Sequence, residues 1–249
     1  MVERAVIFVI QYAGYLLAAG FLVYLLHKRQ LRRLKGIAAY LISLIAIDGI
    51  ARPYVLYRYG LNSSQYQYFY WTTDLVLVLC AFLVVCDFFR RATTHKQEMW
   101  HYIRWVLGFV LILTMGISVL TLVKNYTHLF GSYFIIEFSQ NLYFACLVLT
   151  TLLYIMMQQI ESTDEELQLL VCGMGIEFAG PAASMALVYL VAGAGEGFVR
   201  EVASFLLIPA CNLGMLMTWF YGVAQSSKQK AASKPSVGTD SELAPAVAD

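Results

Sequence analysis

The chain has 249 residues, 60% hydrophobic and 13% charged, with a formal net charge of +1. Soluble domains carry about 25% charged residues, so this composition excludes an ordinary water-soluble domain and most soluble chemistries. The near-zero net charge argues against a nucleic-acid partner, and the length suits one helical bundle without an appended globular domain.

Seven apolar stretches read as 5–26, 36–57, 66–89, 102–123, 133–157, 169–192 and 201–224. Each matches the roughly 20 apolar residues that cross a bilayer as a helix. The expected fold is an all-α membrane protein, a seven-transmembrane-helix bundle over residues 1–224, with the lipid bilayer as its first partner. Residues 225–249, rich in Ser, Lys, Ala and Pro, read as a disordered cytoplasmic tail.

The first stretch ends at Leu26 and contains Ala18-Ala19-Gly20, which mimics a leader-cleavage site. The apolar run continues past that site into a dense basic cluster, so a retained helix is expected. That cluster, His27 to Lys35, contains no acid, and the third connection carries Arg90, Arg91, Lys96 and Arg104 against Glu98 alone. Lys228, Lys230 and Lys234 follow the last stretch, whereas the alternate connections hold only Arg4, Arg58, Lys124 and Arg200. Positive charge collects on the cytoplasmic side, which sets the amino terminus outside and the carboxyl terminus inside, in a bacterial inner membrane. The segment 158–168 has no Lys or Arg and casts no vote. Its Ser162-x-x-Glu165 and Thr163-x-x-Glu166 are overlapping capping boxes that would start helix six.

Ionisable residues within spans cost roughly 2.5–3.5 kcal/mol each on insertion scales and need a partner or a wet cavity. The second stretch holds Asp48 and Arg52, four apart on one helical face and followed by Pro53, which predicts a local distortion. The third presents Gln67, Tyr70 and Asp74 as a polar stripe. In the fifth, Tyr133, Glu137, Gln140, Asn141 and Phe144 share a face. Converting helix direction to depth puts Asp48, Arg52, Asp74 and Glu137 in one outer layer, with Gln11 of the first stretch at similar depth. The expectation is an outward-opening polar pocket lined by Asp48, Arg52, Asp74, Glu137, Gln140, Asn141, Tyr70 and Gln11, with Tyr66 and Tyr70 turning inward to cap it. The competing expectation is a static network that pins the helices together.

The sixth stretch holds Glu177, a candidate proton carrier, on a face with Gly173, Gly180, Pro181 and Ser184, beside a row of Gly175, Ala179 and Ala183. The small residues read as close helix packing. Pro209 and Asn212 in the seventh predict a kink whose freed backbone groups a polar side chain satisfies. Asp87 reads as a local partner of Arg90 and Arg91. The five cysteines all fall inside apolar stretches and read as small buried apolar residues.

No catalytic set, metal-ligand set or cofactor motif is present. The seventh stretch has no lysine for a retinal Schiff base, and the four histidines stand at or beyond helix ends. Cys86-Asp87-Phe88-Phe89-Arg90 and Pro209-Ala210-Cys211-Asn212 are not the landmark motifs of G-protein-coupled receptors. Tyr68-Phe69-Tyr70-Trp71-Thr72-Thr73-Asp74-Leu75, with the apolar run to Phe88 and the basic first loop, resembles uncharacterised bacterial seven-helix integral membrane proteins. That resemblance implies a multi-pass membrane protein and no particular chemistry. The function expected first is a sensor or small-molecule-binding membrane module with a ligand from the outer side and a separate cytoplasmic signalling partner. A small-solute or proton-coupled transporter is second. A faint echo between Asp48–Pro53 and Glu177–Pro181 would make helices two and six counterparts in an internal repeat. An intramembrane enzyme is third.

Overall fold

The computed structural model describes residues 2–28, 30–31, 33–60, 63–94, 97–125, 132–159, 164–190 and 206–232, and every regular element among them is helical. The helices are α1 (Val2–His27), α2 (Lys35–Tyr59), α3 (Ser64–Ala92), α4 (Gln97–Asn125), α5 (Ser132–Gln159), α6 (Glu165–Leu190) and α7 (Ile208–Ala232). Five of them, α2 to α6, are long and apolar enough to cross a membrane, and the described apolar part of α1, Tyr12–His27, is shorter. The expected start of the seventh stretch, 201–205, lies outside the described residues, as do 233–249 of the expected tail. α7 itself runs past 224 to Ala232. Lys, Gln and Ala there favour helix, and Ser227 accepts hydrogen bonds from Tyr24 Oη (3.4 Å) and Gln30 Nε2 (3.1 Å).

Neighbouring helices form a ring in the order α1, α2, α3, α5, α6, α7, closed by contact between α7 and α1. α4 stands outside it against α5 and α3, and exposes Tyr102, Trp105, Phe109, Ile112 and Leu120. Inside the ring, Phe21, Leu41, Phe88, Leu142, Leu153, Phe178 and Trp219 are fully buried. The ends of α1, α3 and α7 and the starts of α2 and α6 gather at one end of the bundle, joined there by polar contacts.

Pro53 acts where the sequence places it. Its missing N–H and its ring cannot fit a regular turn over residue 49. The backbone widens just before it into a π-helical segment, Ile45–Ala51, in which the Arg52 N–H reaches back to Ile47 O. α2 then resumes as Arg52–Tyr59 and stops at Gly60, whose φ of 79° suits a residue without Cβ. A second widened turn, 206–207, precedes Pro209, while α6 remains α-helical through Pro181. Of the two proline-bearing helices expected to correspond, α2 is therefore interrupted and α6 is not. α6 also begins otherwise than the capping boxes imply. Asp164 accepts from Leu167 N through Oδ1 (3.2 Å), and its charge suits the positive helix end; Ser162 and Thr163 lie outside the described residues.

α6 and α7 pack antiparallel and closest of all. A Cβ at Gly173 would stand 2.6 Å from Trp219 Cδ1, and one at Gly180 would stand 3.0 Å from Cys211 Cβ. Trp219 cannot yield, since it is fully buried and donates from Nε1 to Leu170 O (2.8 Å). Gly175 faces α5 instead, with Thr150 Oγ1 4.0 Å from its would-be Cβ. Gly173→Ala should lower stability by about 1–3 kcal/mol through overpacking. Gly175→Ala should be neutral or slightly stabilising, because Ala is the better helix former. Thermal unfolding of the two variants in one detergent checks this; equal loss from both would contradict the packing assignment.

Candidate functional site

Arg52 projects from the turn after the π segment into the contact between α2 and α3. Its Nη1 lies 2.7 Å from Asp48 Oδ1, and its Nη2 lies 3.5 Å from Asp74 Oδ1 and donates to Tyr70 O at 3.2 Å. Nε donates to Thr73 Oγ1 (3.1 Å), and the guanidinium carbon sits 4.1 Å from the Tyr70 ring centroid. The side chains of Arg52, Asp74 and Asp48 are only 13%, 17% and 20% exposed. A planar guanidinium carries donors enough for two carboxylates and a carbonyl while its face lies on an aromatic ring. Lysine could not make that set.

The polar groups continue across the bundle. Tyr143 of α5 donates to Asp74 Oδ1 (3.3 Å) and packs its ring edge-on against Phe178 of α6. Beside Phe178, Glu177 Oε1 accepts from Tyr40 Oη of α2 (3.3 Å) and Asn212 Nδ2 of α7 (3.4 Å). Glu177 Oε2 is buried and has no hydrogen-bond partner among the described residues. Asn212 thus serves a carboxyl group on α6, while residue 205, whose carbonyl Pro209 would free, lies outside the described residues. Five helices contribute to one band of side chains that, among the described residues, holds three carboxyl groups and one guanidinium.

Of the residues expected to line a pocket, Asp48, Arg52, Asp74 and Tyr70 come together. Tyr66 lies beside Tyr70 with ring centroids 6.2 Å apart and the rings tilted by 45°, and Gln67 is exposed. Glu137 and Gln140 make no hydrogen bond or ion pair among the described residues, and Asn141 donates to Ser118 of α4 (3.0 Å), away from Arg52. The side chains of Gln11 and Tyr133 lie outside the described residues. Tyr40, Thr73 and Tyr143 were missed. Tyr40, Leu44, Asp48 and Arg52 follow one another at i+4, a legible signal; Tyr143 is one of 17 tyrosines, and nothing in its spacing singles it out.

A second charged cluster lies at the end of the bundle where α1, α3 and α7 finish. Glu166 of α6, its side chain 2% exposed, pairs with Arg33 at 3.0 Å and lies 4.0 Å from Arg91, which is also 4.0 Å from Asp164. Arg91 therefore turns to α6 and not to Asp87, the partner expected from sequence. The acids of the connection that lacks Lys and Arg meet the arginines of its neighbours. A groove of about 560 Å³ lies elsewhere, between the end of α2 and the start of α3. Tyr54, Val55, Arg58, Tyr59, Gln65, Tyr68, Phe69 and Thr72 line it, and none of the expected pocket residues does. The described residues include no His, Cys, Asp and Glu cluster able to hold a metal ion.

No protein-family model, curated protein or solved structure matches the chain.

Truncating Arg52 would strand two carboxylates between helices, a loss of about 3 kcal/mol or more for a broken buried pair. Arg52→Ala should therefore unfold at markedly lower temperature than the parent, whereas Glu137→Gln should stay within about 0.5 kcal/mol of it. Circular dichroism melts in detergent read both. A Glu137→Gln loss as large as that of Arg52→Ala would place Glu137 inside the network.

Proposed function

We propose that the chain is a seven-span protein of a bacterial inner membrane, amino terminus outside, acting as a sensor or small-molecule-binding module. The loop charges support the orientation. One observation carries the functional reading: among the described residues, Asp48, Asp74 and Glu177 share a band with a single cation, Arg52. A layer so short of positive charge suits a small ligand bearing an ammonium group, which would add donors where Glu177 Oε2 has none. The Arg33–Glu166–Arg91 cluster favours a module closed at its cytoplasmic end and approached from outside. A signal would then pass to a separate cytoplasmic partner that binds the basic connections.

A proton-coupled or small-solute carrier is the second reading, favoured by Glu177 on the same polar band. The π-helical break in α2, without a counterpart at Pro181 of α6, weighs against the inverted repeat that such a carrier would use.

A thermal-shift screen of the purified full chain against small amines, polyamines and amino acids tests the reading. A ligand at a hundred times its dissociation constant stabilises by about 2.7 kcal/mol. At least one amine should raise the melting temperature of the parent by several degrees and fail to do so in Asp74→Asn. An equal shift in both proteins, or none in the parent, would sink the reading. Uptake of that amine into proteoliposomes under a pH gradient would instead select the carrier.

A further inference from the structure

We propose that the groove between the end of α2 and the start of α3 is a binding site for the headgroup of a membrane phospholipid, with Arg58 on the phosphodiester. The proposal rests on the membrane reading above and concerns a different face from the charged band. Arg52 meets Asp74, Thr73 and the Tyr70 ring on α3, whereas the groove uses Gln65, Tyr68, Phe69 and Thr72 on another flank of the same helix.

Three observations fit this occupant. Arg58 is exposed, and among the described residues its one partner is the Tyr54 hydroxyl, accepting from Nη1 at 3.5 Å; no carboxylate meets it. Arg33, Arg52 and Arg91 face carboxylates, whereas Arg58 lines the groove with its charge available to an external anion. The lining is also graded along the helices. Arg58, Tyr59 and Gln65 stand at the helix ends, and Val55, Phe69 and Thr72 stand deeper. Gln65 to Thr72 spans about 10 Å of helix, enough to run from headgroup level into the upper acyl region. Finally, about 560 Å³ is the scale of a small-molecule site. It accommodates a headgroup and the first part of its chains, flanked by the exposed rings of Tyr54, Tyr59 and Tyr68. Arginine offers a phosphate paired donors, and interfacial tyrosines keep a hydroxyl at headgroup level while the ring stays in the chains.

The test is native mass spectrometry of the full chain, delipidated in detergent and titrated with dioleoylphosphatidylglycerol or with dioleoylglycerol, which lacks the phosphate. The parent should retain one phosphatidylglycerol and no dioleoylglycerol. Arg58→Gln should weaken retention about tenfold, the size of one charge-assisted hydrogen bond, and Arg58→Lys should recover part of it. Unchanged retention in Arg58→Gln, or equal retention of dioleoylglycerol, overturns the proposal. Inorganic phosphate or glycerol phosphate displacing the lipid at millimolar concentration would assign the groove to a soluble phosphate compound and overturn it as well. Carbonate-washed membranes read the membrane assignment separately: if the chain stays in them while lipid retention fails the test, only the groove is lost.

Discussion

A guanidinium held among apolar helices is the constraint on which this structure turns. Arg52 cannot lose its charge, and hydrocarbon offers it no partner, so carboxylates must be brought to it. Asp48 is supplied from its own helix and Asp74 from the next, at 2.7 and 3.5 Å. Meeting both at once fixes how far α3 slides along α2, because each residue of slip would move Asp74 by about 1.5 Å. Pro53 enters the same constraint. The wider turn it imposes carries Asp48, so the distortion and the charge pair are one local solution.

The rest of the ring is organised by contact of a different kind. Gly173 admits the Trp219 ring, and the ring's N–H is taken up by Leu170 O, so α6 and α7 approach more closely than the other helices. That approach brings Asn212 to Glu177, while Tyr40, edge-on to the Trp219 ring, reaches the same carboxylate from α2. Packing of small residues thus delivers polar groups to the band that Arg52 anchors from the other side. Tyr143 joins the halves, bonded to Asp74 by its hydroxyl and set against Phe178 by its ring.

What could be read from the residues was whatever follows from period and local chemistry. The apolar stretches located the helices, Pro53 located the distortion, and i,i+4 spacing paired Asp48 with Arg52. Shared depth was a weaker guide. It put Glu137 beside Arg52, yet depth says nothing about which way a side chain points around a helix axis, and α5 turns Asn141 toward Ser118 of α4. Arg91 shows the same limit, since Asp87 is nearer in sequence while Glu166 is nearer in space. Tyr143 was illegible for another reason: a hydroxyl in an apolar helix needs a partner, but the sequence does not say which of many tyrosines has one.

The division of polar groups on α5 bears on what the band can do. Asn141 secures α4 from outside the ring and Tyr143 reaches Asp74 inside it, so the two contacts use separate faces of one helix. A rearrangement of the carboxyl groups around Arg52 would draw on Tyr143, Tyr40 and Asn212, none of which holds α4 in place. The other end is likewise distinct, because the ion pairs of Arg33 and Arg91 run to Glu166 and those of Arg52 to Asp48 and Asp74. The band and the Arg33–Glu166–Arg91 cluster therefore tie α2 and α3 to α6 at separate levels of the bundle.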